Sequence, residues 1–329
     1  MRLLRSSAIE IDMEARHDSV LMKEVLEALD VHPSDTLVDA TLGGAGHFTA
    51  LLAALGEGGV IVGIDADPEA AERGRIAYAL DRRPERPVAH LVNDNFRNLA
   101  RVLERLGIGQ VDEILFDLGW SGYQIASPRG FSFQNDEPLL MTYGEGGESA
   151  ADIVNSSTEE DLAHIIFTYG EEHFSRGIAR AIVAARGKER ILTTDALVAA
   201  ISAGTPHWYH ERKIHLATKT FQALRIAVND EIGSLREGIT SALAALAPSG
   251  RLAVISFHSI EDRIVKNLLR EAAHAGLGTM IAKKPIVPSR AEILTNRRAR
   301  SAKLRVFERS ATVAHTETAD ATRAHFSYA

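Results

Sequence analysis

The stretch "DATLGGAGHFT" occupies residues 39–49 and decides the fold that we expect for this chain. Three of residues 43–46 are glycines, between an apolar run at 36–38 and a helix-like stretch at 47–55. Glycine lets the backbone turn sharply and lets a ligand approach it without a Cβ in the way. The stretch therefore predicts a strand, a nucleotide-binding loop and a helix, in that order.

The same alternation continues downstream. Apolar runs at 60–65, 88–92 and 113–118 are separated by helical patterns at 68–80 and 98–106. Short apolar strands that alternate with amphipathic helices are typical of a parallel sheet covered by helices on both faces. We therefore predict an α/β fold with a doubly wound, mostly parallel sheet.

The alternation stops after residue 119 and gives way to loop composition and then to helices without strands. We predict a helical insertion at 135–215 that recognises the substrate, inside a sheet domain built from residues 1–134 and 216–309. The tail at 310–329 is polar, and we expect it to be flexible.

Local patterns add detail to this division. Ser157 and Glu160 fit a capping box at the start of a helix. A long helical pattern spans 217–246, and a strand at 251–257 resumes the sheet. We expect one helix over the whole of that long pattern.

Composition restricts the class of protein. Of the 329 residues, 45% are hydrophobic and 25% charged, as in ordinary globular proteins. No apolar run approaches the length needed to span a bilayer, and the first residues lack the apolar core of a signal peptide. The chain has no cysteine, which excludes disulfides and thiolate metal sites. We expect a cytoplasmic protein that does not associate with membranes.

Charge is distributed unevenly. The net charge is −7, but residues 283–309 carry nine Lys or Arg and two Glu, so that segment is +7 and the remainder −14. A basic stretch on an acidic protein is a candidate surface for phosphates, and Arg297, Arg298 and Arg300 lie in it. The alternative is a solvated basic face.

The glycine loop restricts the ligand. A dinucleotide fingerprint G-x-G-x-x-G fits Gly44 and Gly46, but its third position is Thr49, and no Gly-Lys-Ser/Thr of a Walker loop follows. In dinucleotide-binding domains the third glycine allows the helix to pack closely on the strand. S-adenosylmethionine carries adenosine without a pyrophosphate, so this loop favours it, while an NAD(P)-dependent oxidoreductase remains an alternative.

Residues at the predicted strand ends support an adenosine ligand. Asp65 ends the second strand, nineteen residues after Gly46, where an acid can accept hydrogen bonds from ribose hydroxyls. Phe96 follows the third strand, where its ring could stack on adenine, and Asp117 ends the fourth. Each could instead be structural, but all of them fall at the carboxyl edge of the sheet, where open α/β sheets bind ligands.

Several segments together resemble the bacterial rRNA small-subunit methyltransferase H family, also called MraW. They run in order from about His17 to Arg309 and include "DATLGGAGH", "GIDADP", "RGFSF", "YGEEHFSRGIARAIV", "ATKTFQALRIAVNDE", "ISFHSIEDRIVK" and "RARSAKLRVFER". The resemblance implies a Rossmann-like class I methyltransferase with a helical insertion domain. It also implies S-adenosyl-L-methionine as the methyl donor, and the N4 amine of a cytidine in the decoding region of 16S rRNA as the acceptor.

The resemblance also implies residue roles. By position, the methyl-donor contacts fall on Ala45, Gly46, His47, Asp65, Phe96, Asp117 and Gln124, beside Gly44 of the glycine loop. The chain departs from the family where Ala45 replaces a usual glycine and where Leu140 and Thr142 replace a usual Asp and Arg. The small ribosomal subunit is the implied partner. The oligomeric state stays open, with a homodimer among the options.

Candidates for the chemistry lie near the same edge. Asp117 could accept the proton of the amine or hold the methyl donor, and the sequence does not choose between these roles. His258 ends the fifth strand and is a second catalytic candidate, or else a structural hydrogen bonder. Trp120 is the candidate for stacking on the target base, or else a packed residue.

Further residues are candidates for RNA contacts. Arg176 and Arg180 share one helical face, and Phe221 and Arg225 share another; they could contact RNA, or be surface arginines and a core phenylalanine. The histidine-rich stretch 207–215 has metal-ligand residue types but no firm helix, so we predict no metal site. A non-catalytic RNA- or ribosome-binding protein with the same fold remains the second alternative.

Overall fold

The computed structural model describes residues 19–119, 127–144 and 146–311. Seven strands form one sheet: β1 (Thr36–Asp39), β2 (Val60–Asp65), β3 (Val88–Asn93), β4 (Val111–Asp117), β5 (Leu246–Ser256), β6 (Gly278–Met280) and β7 (Lys303–Arg309). Their order is β3-β2-β1-β4-β5-β7-β6. All pairs are parallel except those of β7, which runs antiparallel to β5 and β6. This confirms the predicted fold class, a Rossmann-like class I methyltransferase sheet.

Helices cover both faces of the sheet and form a separate layer. They are α1 (Met22–Leu29), α2 (Gly46–Ala54), α3 (Pro68–Leu80), α4 (Leu99–Leu106), α5 (Ala150–Ser156), α6 (Glu159–Gly170), α7 (Ser175–Arg186), α8 (Thr194–Ala203), α9 (Thr218–Val228), α10 (Glu231–Ala245), α11 (Ser259–His274) and α12 (Arg290–Thr295). Single 3₁₀ turns lie at Phe96–Asn98, His207–Glu211 and Arg297–Ser301.

Strand side chains alternate between two apolar cores. Leu37 of β1 and Leu115 of β4 pack with α1, α2 and α3, whereas Val38 and Ile114 pack with α4, α10 and α11. Both faces of the sheet are therefore buried. That explains why its strands read as continuous apolar runs rather than as an alternating pattern.

A third core holds α5 to α9 together, and it includes apolar residues from Phe131 to Leu224. Within this layer the capping prediction was wrong by one residue. The Ser157 N–H bonds to the carbonyl of Ile153 and ends α5, and Thr158 caps α6 by accepting the N–H of Asp161 at 3.1 Å. The insertion boundaries at 135 and 215 stay a prediction.

The prediction of a single helix over 217–246 was also wrong. The helical segment breaks between α9 and α10 at Asp230, which has a φ of 44°. The Asn229 amide donates to the carbonyls of Met141 and Arg225, and its oxygen accepts the N–H of Tyr143. These distant contacts decide the break. β5 begins earlier than predicted, at Leu246, and its register against β4 shifts between Leu246 and Arg251.

Three predictions concern residues whose structure is not described. Trp120 and Gln124 lie outside the described residues, as do residues 312–329 of the predicted flexible tail. Within the described ranges, no helix combines the length and the apolar character that crossing a membrane requires.

Candidate active site

A cavity of about 360 Å³ opens at the carboxyl ends of β1, β2, β4 and β5. One half contains the glycine loop and the acids of the strand ends, among them Gly43, Gly44, Gly46, His47, Asp65, Phe96 and Asp117. The other half meets the helical layer and α11, and it contains Tyr143, Gln222, Arg225, Asn229, Glu231, His258, Glu261 and Arg298. The cavity therefore joins the predicted nucleotide edge to the helices that follow it in sequence.

The glycine loop turns tightly before α2. Gly43 has a φ of 49° and Ala45 a φ of 61°, both in the left-handed region. The N–H of Ala45 bonds back to the carbonyl of Leu42 at 2.6 Å and closes the turn. Gly44 and Gly46 line the cavity, whereas Ala45 is buried and does not. A ligand thus meets backbone at the two flanking glycines.

Asp65 is held rigidly by backbone amides. Its Oδ2 accepts the N–H of Gly43 at 2.8 Å and its Oδ1 accepts the N–H of Asp67 at 2.9 Å. Burial raises the pKa of Asp65 to about 6, although both hydrogen bonds favour the charged form. Since each carboxylate oxygen can accept more than one hydrogen bond, Asp65 can still receive the two hydroxyls of a ribose.

Asp117 lies beside His47 at the end of β4. Its Oδ2 is 3.2 Å from Nδ1 of His47, and its backbone N–H donates to Oγ1 of Thr41 at 2.6 Å. Its Oδ1 is buried and has no hydrogen-bond partner among the described residues. A buried carboxylate oxygen of this kind calls for a donor or a cation from a ligand.

Asp39, at the end of β1, is an acid that the sequence analysis missed. It is completely buried, and burial raises its pKa to about 7, while nearby His47 lowers it. Its Oδ2 likewise has no hydrogen-bond partner among the described residues. The sequence does contain a signal for this residue, because Asp39 ends a strand at the same edge of the sheet as Asp65 and Asp117.

A buried ion pair forms the far wall of the cavity. Arg225 approaches Glu231 at 2.7 Å through Nε and at 2.8 Å through its terminal nitrogen, and the Tyr143 hydroxyl donates to the same carboxylate at 2.6 Å. Burial beside Glu231 raises the pKa of Tyr143 well above its usual value. The ion pair holds Arg225 in the wall of the cavity. Its guanidinium also faces the space where a ligand would bind.

His258 caps α11 and faces the cavity. Its Nδ1 accepts the N–H of Glu261 at 3.4 Å, and Oε2 of Glu261 accepts the N–H groups of Phe257 and His258 in return. A neutral ring that accepts at Nδ1 carries its proton on Nε2. That Nε2 lies 3.0 Å from Oε1 of Glu261 and is buried without hydrogen-bond geometry to a described residue. His258 is therefore placed to donate a hydrogen bond.

Glu231, His258 and Glu261 bring ligand atoms within 4.8 Å of one another, a spacing that a metal ion could use. The Arg225 guanidinium already forms an ion pair with the Glu231 carboxylate. The positive charge that compensates this cluster is therefore that of an arginine side chain. The histidine-rich stretch does not join the cluster: His210 contacts the Thr205 hydroxyl at 3.0 Å. We therefore assign no metal here.

The remaining sequence candidates lie in different places. Phe221 is 2% exposed in the core of the helical layer, edge-on to Phe133, and does not line the cavity. Arg176 and Arg180 are exposed on α7, and Arg180 lies 3.5 Å from Glu159. These two arginines do not line the cavity either.

The basic segment divides into two parts. Lys303 and Arg305 both pair with Asp262, at 2.9 and 2.7 Å, and Arg309 donates to three carbonyls near the end of α10. These cations serve the fold, so the excess of +7 overstates the charge offered to a partner. The arginines of the Arg297–Ser301 turn are exposed, and Arg298 also lines the cavity.

The cavity fits S-adenosylmethionine better than a dinucleotide. Buried carboxylate oxygens at the loop, above all Oδ1 of Asp117, would repel a pyrophosphate and attract the positive charges of a sulfonium and an ammonium. Asp65 and Phe96 line the same half, where a ribose and an adenine would lie. The sheet order and this site define an S-adenosylmethionine-dependent methyltransferase.

Comparison with known proteins gives the family. The chain belongs to the MraW methylase family, whose model matches residues 14–310. It is 50% identical to the ribosomal RNA small subunit methyltransferase H of Deinococcus radiodurans, over 90% of this chain and 90% of the relative. The proteins of the same name from Deinococcus deserti and Brevibacillus brevis are 48% and 42% identical, over 89% of this chain and 93% and 98% of theirs. Membership of a methylase family sets the oxidoreductase alternative aside.

Proposed function

We propose that this enzyme methylates the N4 amine of a cytidine in the decoding region of 16S rRNA, with S-adenosylmethionine as the methyl donor. The observation that carries the proposal is the single cavity in which the glycine loop and Asp117 meet the polar wall of Arg225, Glu231 and His258. A donor and a base could lie end to end there. The names of the relatives and the resemblance of the sequence support rRNA as the substrate.

The donor supplies an activated methyl group on a sulfonium, and the protein supplies alignment and a proton acceptor. Aligning the amine with the methyl group removes an entropic cost of several kcal/mol, roughly 7–11 in well-oriented systems. Cytosine N4 is a poor nucleophile because its lone pair is delocalised into the ring. We assign Asp117 as the acceptor for the amine, since its free Oδ1 lies at the junction of the two halves.

His258 has a different role in this proposal. Because its Nδ1 caps α11, its Nε2 carries a proton and cannot act as a base while the ring is neutral. It can donate to the O2 or N3 of cytosine, which are both acceptors. A donor there would hold the base in place. His258 is thus a base-recognition residue rather than the proton acceptor.

RNA would approach over surfaces that combine cations with aromatic rings. The Arg297–Ser301 turn presents exposed arginines beside the cavity. On the helical layer Trp208 is 62% exposed and lies edge-on to Phe174 and Tyr209, and the guanidinium of Arg212 lies 4.9 Å from the centre of the Tyr209 ring. Aromatic rings near cations suit unpaired bases and their phosphates. An enzyme with this substrate would act in the cytoplasm, on the small subunit or its rRNA.

The test is methyl transfer to unmodified small ribosomal subunits. The enzyme is incubated with subunits that lack the modification and with labelled S-adenosylmethionine, and the rRNA is digested for nucleoside mass spectrometry. We expect label in N4-methylcytidine at one site. Label in another nucleoside would refute the proposed substrate. Tight donor binding without transfer to any RNA would favour the non-catalytic alternative.

A variant of Asp117 tests the chemistry in the same assay. Asp117→Asn keeps the size of the side chain and removes the proton acceptor, so single-turnover transfer at saturating donor should fall about 10²–10⁴-fold. Glu104→Gln, on the exposed face of α4, is the matched control for the loss of one carboxylate. Transfer by Asp117→Asn at the parental rate would exclude Asp117 as the acceptor.

A further inference from the structure

His47 makes two contacts that together determine its protonation. It is the second residue of α2 and is 5% exposed. Its Nε2 lies 3.1 Å from the carbonyl oxygen of Val20. A carbonyl can only accept a hydrogen bond, so Nε2 must carry a proton.

The other ring nitrogen faces a carboxylate. Nδ1 of His47 lies 3.2 Å from Oδ2 of Asp117. A neutral imidazole has one proton, already on Nε2, and an ionised carboxylate has none, so two lone pairs would oppose each other across this distance. The contact therefore requires one additional proton, shared between Nδ1 and Oδ2. In the free enzyme the two residues hold it as a buried imidazolium–carboxylate pair.

The surrounding charges support that protonation. Burial by itself lowers the pKa of His47, but the hydrogen bond and charge of Asp117, followed by the charge of Asp39, raise it above its usual value. The charge of Asp65 acts on Asp39, and Arg298 interacts electrostatically with Asp117. With the carboxylates ionised, the acids around His47 outnumber the cations, which favours a positive ring.

We propose that His47 is the proton-holding partner of Asp117, losing its proton when the methyl donor binds and recovering one from the amine after methyl transfer. The positive charge of the donor, bound near Asp117, takes over the compensation of the carboxylate and repels the imidazolium, while Oδ1 stays open to the amine. The proton leaves Nδ1 for water, and His47 remains as the Nε2–H tautomer, still donating to Val20. His47 is a positioning residue, because it acts on the reaction through Asp117.

The second half of this cycle rests on the proposed function. When the amine nitrogen bonds to the methyl group, the carbon–sulfur bond breaks and the positive charge passes from sulfur to nitrogen. The nitrogen then gives one proton to Oδ1 of Asp117. Rotation of the carboxyl group after the products leave brings this O–H to Nδ1 of His47, and the pair again holds one proton between the two residues. The demethylated product and the methylated base leave an enzyme in its starting protonation state. Protons and charges therefore balance over one turnover.

The first half can be tested without RNA. The ring resonances of His47 are followed by NMR through a pH titration of the free enzyme, of its complex with the donor and of its complex with the demethylated product. The signal is assigned as the one that His47→Gln removes from the 13 histidines. If that variant does not fold, Asp117→Asn gives the assignment, because it keeps the ring and removes its partner.

We expect the His47 midpoint to lie above that of an ordinary histidine in the free enzyme and to fall by about one pH unit or more in a complex. A fall with both ligands identifies the ammonium, which both carry, as the displacing cation; a fall with the donor alone identifies the sulfonium. A midpoint that neither ligand moves would overturn the proposal.

Calorimetry gives an independent measurement. Donor titrations in buffers of different ionisation enthalpy count the protons released, and near neutral pH we expect up to one per site. Asp39→Asn removes a neighbouring acid and should keep most of the release, as should His210→Gln, which lies outside the cavity. Loss of the release in Asp39→Asn, with a His47 midpoint that the donor still shifts in that variant, would assign the proton to Asp39 and refute the role of His47. Failure of RNA methylation with this linkage intact would refute only the proposed function.

Discussion

Replacing Glu113 with glutamine should stabilise this protein at neutral pH and leave it unchanged in acid. Glu113 lies in β4 and is 5% exposed. Its carboxyl shares a hydrogen bond with that of Asp35 and lies near the charge of Asp112. Burial, followed by these two acids, raises the pKa of Glu113 from 4.5 to about 10, although Arg251 opposes the shift. Folding therefore requires a proton on this carboxyl at neutral pH.

The sign and the size follow from linkage. A carboxyl with a raised pKa in the folded state costs nothing below its unfolded pKa, and its cost grows as the pH rises from 4.5 toward about 10. Each pH unit contributes about 1.4 kcal/mol, so at pH 7 the cost is at most about 3.5 kcal/mol. Glutamine needs no proton, and its amide can donate to Asp35. We expect Glu113→Gln to raise the free energy of unfolding by about 1–3 kcal/mol at pH 7 and by about zero at pH 4.

Urea unfolding from pH 4 to pH 9 measures this difference. The control is Glu104→Gln on the exposed face of α4, for which no pH-dependent gain is expected. If Glu113→Gln changes stability by the same amount at every pH, the folded state does not bind the additional proton. A loss of stability at neutral pH would show that Glu113 works there as an ionised partner of Arg251.

Three further predictions concern the site. Asp65→Ala should weaken donor binding about ten- to a hundred-fold, the value of one or two hydrogen bonds to a charged acceptor, and unchanged affinity by calorimetry would remove Asp65 from the site. Ala45→Gly should stabilise the fold by about 1 kcal/mol, because glycine adopts the left-handed region without the strain of a Cβ, and an unchanged or lower melting temperature would contradict this. Replacing Arg297 and Arg300 of the Arg297–Ser301 turn with alanine should flatten the salt dependence of RNA binding and leave donor affinity unchanged; a parental slope would make the turn a solvated face.

The half of the cavity next to the glycine loop could be located from the sequence. β2 ends at Asp65 and β4 at Asp117, as predicted, because each buried strand contains a continuous apolar run that is followed by an acid. Parallel topology then brings the ends to one edge. Asp39, which ends β1, follows from the same reasoning.

The other half could not be predicted, because long-range contacts build it. The break between α9 and α10 depends on Asn229, whose partners Met141 and Tyr143 are 88 and 86 residues away in sequence. Local propensity favours one helix there. The net charge of residues 283–309 overstates the basic surface for a similar reason. Lys303 and Arg305 contribute to that charge, but both form ion pairs with Asp262.

The walls of the cavity are joined largely by side chains that accept from backbone amides. The N–H groups of Gly43, Asp117, Tyr143 and Phe257 donate to Asp65, Thr41, Asn229 and Glu261. Such amides lie outside the cooperative hydrogen-bond ladder of the sheet and can open without unfolding it. In the free enzyme they should exchange with deuterium faster than the strands beside them, and ligand binding should slow these four most. Part of the binding free energy would thus order the walls of the site itself. A ligand that binds more tightly should therefore also make these walls more stable.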